Sequence, residues 1–304
     1  MASKISLASK SRLDTMSTAF VRSTSTIMCP LKLETNMLIR VTTLLLMMLA
    51  ITPFGMAHDY WLQPQPFVLK PGQTTEVRLF VGDHLNNESE RSLTQKKTVR
   101  FQAISQKKAE DLKPRSQDGN KPVCTLTPQN AGNHLLVLER DWSHIELAAA
   151  KFNSYLDHEG LTNILKMRQK AGEDQEVGRE RYRRYLKTLV QVGDTSDQTF
   201  AHKAGQRLEI LLRTNPYTAD VGDPIAATVV FDGKPLANAQ VAAYSRHDGV
   251  VKTQEARTDA QGRVQFKLDR KGLWLIRLVH MQRCQEDPDY DWESFWGAYS
   301  FSLP

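Results

Sequence analysis

From about Arg207 onward the chain is a succession of short segments in which apolar and polar side chains alternate: "RLEILLR", "DPIAATVVFDGKPLANAQVAAYSR", "GVVKTQEARTDAQGRVQFKLD", "GLWLIRLVHM" and "SFWGAYSFSL". A period of two puts successive side chains on opposite sides of an extended backbone, so each segment reads as a strand. Asp-Gly and Gln-Gly pairs punctuate the runs and supply the positive φ that tight hairpin turns require. Several such strands in series close into a β-sandwich, expected over residues 204–304.

The region 58–143 reads in the same way. In "TEVRLFVGD", Val77, Leu79 and Val81 face one side while Glu76, Arg78 and Phe80 face the other, after a "KPG" turn. Val99 to Ser105, Val123 to Thr127 and His134 to Glu139 are further strands, and together they predict a small antiparallel β-domain. Between the two β regions the period changes. Phe152, Tyr155 and Leu156 form one helical stripe with Ala148, and Leu161, Ile164, Leu165 and Arg168 a second, with Gly160 as a break and Gly172 as a stop. "GRERYRRYLKTLVQVG" continues as a third helix, with Tyr182, Tyr185, Leu186 and Leu189 inward and Arg179, Arg181, Arg183, Arg184 and Lys187 on a solvated basic face. The expected architecture is mainly β, two sandwiches with a helical segment at 144–203 packed on the first.

The front of the chain is of another kind. From Met37 it reads "MLIRVTTLLLMMLAITPFGMA": Arg40, an apolar run from Val41 to Ile51, then small residues at Gly55 and Ala57. This is the layout of a secretory signal peptide, too short for the about 20 apolar residues of a membrane span. Residues 1–57 are therefore expected to be removed on export to the periplasm, with no stable membrane span in the product. The formal charge of the whole chain is +6, but residues 1–57 hold six basic and two acidic side chains, which leaves about +2. A nucleic-acid partner loses its electrostatic basis at that charge. Of the three cysteines, Cys124 and Cys284 lie past the cut and permit one disulfide.

Cleavage after Ala57 makes His58 the first residue, and its α-amine and imidazole are both nitrogen donors of the kind that nickel and copper favour. A second imidazole would complete such a site, with His280, His84 and His144 as candidates. Along "GLWLIRLVHM", Trp274, Ile276, Leu278 and His280 share a face. If this strand pairs with the last one as an antiparallel hairpin, His280 and Glu293 meet at one rim. The expected metal ligands are His58, His280 and Glu293. No Gly-x-Ser-x-Gly elbow, His-Glu-x-x-His, phosphate-binding Gly-rich loop or CxxC pair occurs, so the chain reads as non-enzymatic.

Two resemblances bear on this reading. "DGKPLANAQV" and "TDAQGRVQFKLDRKGLWLIRLVH" resemble carboxypeptidase-regulatory or transthyretin-like sandwiches, over about the last 90 residues. "AHDYWLQP", "FNSYLDHEGL", "RERYRRYLKTLVQVG", "TNPYTADVGDPIAATVVFDGKPLANAQV" and "WESFWGAYSFSL", in that order, resemble a bacterial periplasmic domain-of-unknown-function family formerly labelled NikM-like. That resemblance implies an exported, β-rich protein, and its label implies an association with nickel uptake. The function expected is capture of a transition metal (nickel, copper or cobalt) for uptake or tolerance, beside a metal-transport or envelope protein. The alternative is a structural or adaptor module that binds a protein or glycan partner through a sandwich edge or the arginine-rich helix, with Trp292 and Trp296 as a stacking surface for sugar. Intact-mass measurement of the protein recovered from the periplasm is expected to show a chain beginning at His58; a product beginning elsewhere removes the terminal amine from consideration.

Overall fold

The computed structural model describes residues 58–304, so the expected signal peptide and its cleavage lie outside the described residues. The chain opens with β1 (Asp59–Gln65), β2 (Val68–Leu69), β3 (Thr75–Asp83) and β4 (Asn86–Arg91). There follow β5 (Thr98–Ser105), β6 (Ala109–Asp111), β7 (Cys124–Leu126) and the long β8 (Gly132–Leu147). Two helices come next, α1 (Ala149–His158) and α2 (Thr162–Ala171), then β9 (Gly178–Val192). The remainder is β10 (Leu208–Leu212), β11 (Pro224–Phe231), β12 (Lys234–Pro235), β13 (Gln240–His247), β14 (Val250–Arg257), β15 (Arg263–Lys267), β16 (Gly272–Arg283) and β17 (Trp292–Leu303).

These strands build three sheets. One small sheet has the order β1-β3-β4 with β7 on β3, and another has β10-β11-β12 with β15 on β11. Between them runs a nine-stranded sheet in the order β14-β13-β16-β17-β9-β8-β5-β6, with β2 on β9. The protein is mainly β, as the alternation predicts, but the two β regions are not separate: the large sheet takes strands from both sides of residue 204. The described residues accordingly fall in one compact unit.

Both faces of the large sheet are covered, and alternation along each central strand assigns the side chains. Leu136 and Leu138 of β8, Leu186 and Val190 of β9 and Leu275 of β16 join Trp61, Val77 and Leu79 in one core. Leu135, Val137, Tyr185, Leu189, Trp274 and Ile276 face the other way, into a second core with Ile210, Ile225 and Val229. A third core seats α1 and α2 on the sheet: Phe152, Tyr155, Leu156 and Ile164 pack against Val279, Met281, Trp292 and Trp296. Phe152, Tyr155 and Leu156 are the stripe that the helical period marks. Gly178 admits the Phe152 ring, since a Cβ there would lie 2.3 Å from it. Gly172 ends α2 in the left-handed region at φ 73°. The Asp-Gly turns are as expected too, with positive φ at Asp232, Gly233, Asp248 and Gly249.

The third predicted helix is the main correction. Residues 178–192 form β9, parallel to β17 and antiparallel to β8, in the middle of the large sheet. Tyr182, Tyr185, Leu186 and Leu189 have helical spacing, but a strand with apolar layers on both sides also places large side chains at adjacent positions. The basic face is corrected with it, because Arg181, Arg184 and Lys187 are buried. Lys187, 1% exposed, donates to Glu209, 0% exposed, at 2.6 Å and to the carbonyl of Ile210 at 3.1 Å. Burial pulls the Lys187 ammonium below its ordinary pKa, and Glu209 opposes that shift. Cys124, buried, and Cys284 are both free, so the permitted disulfide is not formed.

Glu209 also accepts from the backbone N–H groups of Ala204 and Gly205, so removing the lysine leaves a buried anion with only neutral partners. Lys187→Met is expected to cost about 3–5 kcal/mol in urea unfolding. Adding Glu209→Gln, which keeps an acceptor and discards the charge, is expected to recover part of that loss.

Candidate metal centre

The hairpin β3–β4 closes on a two-residue turn. Asp83 pairs with Asn86, and His84 and Leu85 between them take φ 51° and 57°, the left-handed values of a mirror-image hairpin turn. Leu85 is fully buried and its carbonyl accepts from Arg246 Nη1 at 2.9 Å, which anchors the turn. His84 is thereby held at the rim. Its ring stacks on His158 with centroids 5.3 Å apart and lies against Tyr244 at 4.8 Å. His158 is the last residue of α1, exposed, and the packing of Phe152, Tyr155 and Leu156 sets where that helix ends.

Asp83, next to His84 in sequence, places Oδ1 3.7 Å from His84 Nε2. One ligand atom from each of Asp83, His84 and His158 lies within 4.8 Å of the others, the one such group of three among the described residues. Metal bonds of about 2.0–2.2 Å require ligand atoms within about 4.4 Å of each other, so small side-chain rotations close this set. Two imidazoles and one carboxylate suit a borderline divalent transition metal; calcium and magnesium favour oxygen shells.

Beneath the group lies a buried ionic cluster. Arg277 of β16 donates from Nε to Asp59 Oδ1 at 2.5 Å, and from Nη1 and Nη2 to the carboxylate of Glu159. All three residues are buried. Burial raises the Asp59 carboxyl above the usual carboxylate range, against the pull of Arg277. Burial also works against the charge on Arg277, but Asp59 and Glu159 outweigh it and hold the guanidinium protonated. Two carboxylates thus face one guanidinium directly beneath the group.

The cluster also sets the geometry. Asp59 pairs through its backbone with Gly82, the residue before Asp83, and Glu159 directly follows His158. One guanidinium therefore joins the β-turn half of the centre to the helix half.

Of the ligands expected from sequence, His58 is exposed immediately before β1. His280 and Glu293 do lie on one antiparallel hairpin, β16–β17, but the register sets His280 opposite Phe295 and Glu293 opposite Gln282. Glu293 is buried and accepts from Arg181 Nη2 and Gln282 Nε2, each at 2.6 Å. His280 packs against Phe231 at 4.4 Å, on the face covered by the C-terminal small sheet, whereas β1 belongs to the layer over the opposite face. The large sheet thus separates His280 from His58, and the expected three-residue set is not assembled. His144, another candidate, is engaged by the Tyr290 hydroxyl at 2.8 Å. His84 is the one candidate second imidazole that enters the group; Asp83 and His158 were missed. Trp292 and Trp296 are 0% and 4% exposed, so they offer no stacking surface for a glycan.

Burial pushes His280 down to about pH 4, with Asp232 opposing. A histidine depressed in this way stabilises the fold above its unfolded value near 6.5, and that contribution disappears as pH falls toward 4. His280→Phe is expected to remove an acid-side loss of ~2 kcal/mol over that window, a figure reduced for the water that reaches the ring. Urea unfolding at pH 7 and pH 4 reads this directly.

No curated protein matches the chain. Among solved structures, a mutant of Salmonella alpha-2-macroglobulin aligns with 81% of this chain and 15% of its own length, at 9% identity and a TM-score of 0.19. Salmonella alpha-2-macroglobulin reacted with methylamine aligns with 80% and 15%, again at 9% identity and a TM-score of 0.19. The chain thus spans about 15% of the length of these structures, and at that score neither likeness bears on fold or function. Residues 55–282 match a domain of unknown function, DUF4198, and on a match over most of its length the chain belongs to that family.

Proposed function

We propose that the protein is an exported, periplasmic, non-enzymatic binding protein that captures a divalent transition metal (nickel, copper or cobalt) for uptake or tolerance, with Asp83, His84 and His158 as the protein ligands. The observation that carries the reading is the meeting of two imidazoles and a carboxylate at the rim of the buried Arg277–Asp59–Glu159 cluster. Three protein donors leave coordination positions open, which suits a protein that must release its cargo. The sequence's resemblance to a family formerly labelled NikM-like implies a metal of this class. A metal-transport or envelope protein would receive the ion.

The adaptor reading draws less support, because the arginine-rich segment is a central strand and the two tryptophans are buried. Calorimetric titration of Ni(II), Cu(II) and Co(II) is expected to give one site per chain. His84→Ala and His158→Ala are each expected to weaken binding at least tenfold while thermal unfolding of the apo protein stays within a few degrees. No binding by the parent protein, or unchanged binding by both variants, would discard the metal reading and leave the adaptor one.

A further inference from the structure

The centre stops at three residues, and His58 lies one residue before the strand whose end pairs with Gly82, the neighbour of Asp83. The registered pairs of β1 and β3 run from Gln65 opposite Glu76 to Asp59 opposite Gly82. His58 directly precedes the first paired residue, and extending the register by one step would set it opposite Asp83. Residues facing each other in such a ladder have Cα atoms about 4.5–5.5 Å apart and project to the same side. The alternation agrees: Tyr60 pairs with Val81, and His58 and Asp83 stand two residues from each, on the same face.

His58 is also the residue whose position the buried cluster holds from beneath. Its neighbour Asp59 is fixed through the backbone by Gly82 and through the side chain by Arg277. His58 itself is exposed and is not one of the three mutually close ligand residues, so joining them takes movement of the residue that precedes β1.

We infer that His58 is the fourth ligand residue of the Asp83–His84–His158 centre, donating its imidazole and, in the chain cut after Ala57, its α-amine. The inference rests on the metal reading above and deepens it. Two nitrogens from one residue form a chelate ring, which ties the ion to the end of β1. Together with two further imidazoles they make a donor set rich in nitrogen, the set for which copper(II) and nickel(II) compete best among first-row divalent ions. The centre then reaches full strength only in the processed protein, because an amide nitrogen of an uncut chain is a poor donor beside a free amine. Export and metal capture are coupled by that one bond.

The test compares chains that begin at His58, released from a removable tag and verified by intact mass, with the same chain retaining Ala57 and with a His58→Ala chain. Cu(II) and Ni(II) are titrated into each by calorimetry, and the Cu(II) forms are examined by electron paramagnetic resonance. Retaining Ala57 is expected to weaken Cu(II) binding at least tenfold and His58→Ala by more, with fewer nitrogen couplings in the spectrum of each. Equal affinities and unchanged spectra in all three, while His84→Ala still abolishes binding, would overturn the role of His58 and leave the three-residue centre standing. Binding that ignores His84 and His158 as well, or no binding by the chain beginning at His58, would overturn both. Matching urea unfolding of the apo forms establishes that the differences arise at the centre.

Discussion

Coverage of the nine-stranded sheet on both faces is the constraint on which the molecule depends. A side chain in the covered stretches of β8, β9, β16 or β17 has no solvent-facing side to escape to, so it must be apolar or find polar partners where it stands. Most positions satisfy this with Leu, Val, Phe and Trp. Several exceptions are ion-paired, Lys187 with Glu209, Arg181 with Glu293, and Arg277 with Asp59 and Glu159, whereas Glu180 accepts from the Tyr155 and Ser294 hydroxyls and Arg184 lies over the Tyr60 and Tyr182 rings. Such pairs hold their partners in place more than they add net stability, since desolvation offsets much of the attraction.

The last of these pairings organises the candidate centre. Arg277 projects from β16 between the small N-terminal sheet and α1, and its two acid partners flank the residues that carry Asp83, His84 and His158. These three residues thus need no rigid scaffold of their own; their neighbours in sequence are fixed from beneath. A single guanidinium lies between two buried carboxylates, and burial raises the Asp59 carboxyl against the pull of Arg277.

Much of the fold was legible because periodicity reports which faces are covered. Val77, Leu79 and Val81 alternate with more exposed partners, and β3 was read correctly because one of its faces is less buried. Phe152, Tyr155 and Leu156 were equally clear on α1, which packs along one stripe. Residues 178–192 were misread for the same reason in reverse. With apolar layers on both sides, adjacent Tyr185 and Leu186 are both buried, and a strand then mimics helical spacing. The basic residues there looked solvated because sequence does not show a partner such as Glu209, 22 residues away.

Local chemistry in the sequence thus determined the β class, the turns at Asp232-Gly233 and Asp248-Gly249, the hairpin of the last two strands and the interest of His58 and His84. Those features depend on backbone preference and near neighbours, which a short window contains. Tertiary structure alone decided that the two β regions share one sheet, that His280 faces away from His58, and that a helix end brings His158 to the turn at His84. The reason is distance along the chain: the turn at His84 and the helix end at His158 are held by contacts from far away in sequence, among them Arg277, which pairs with Asp59 and Glu159 beside them.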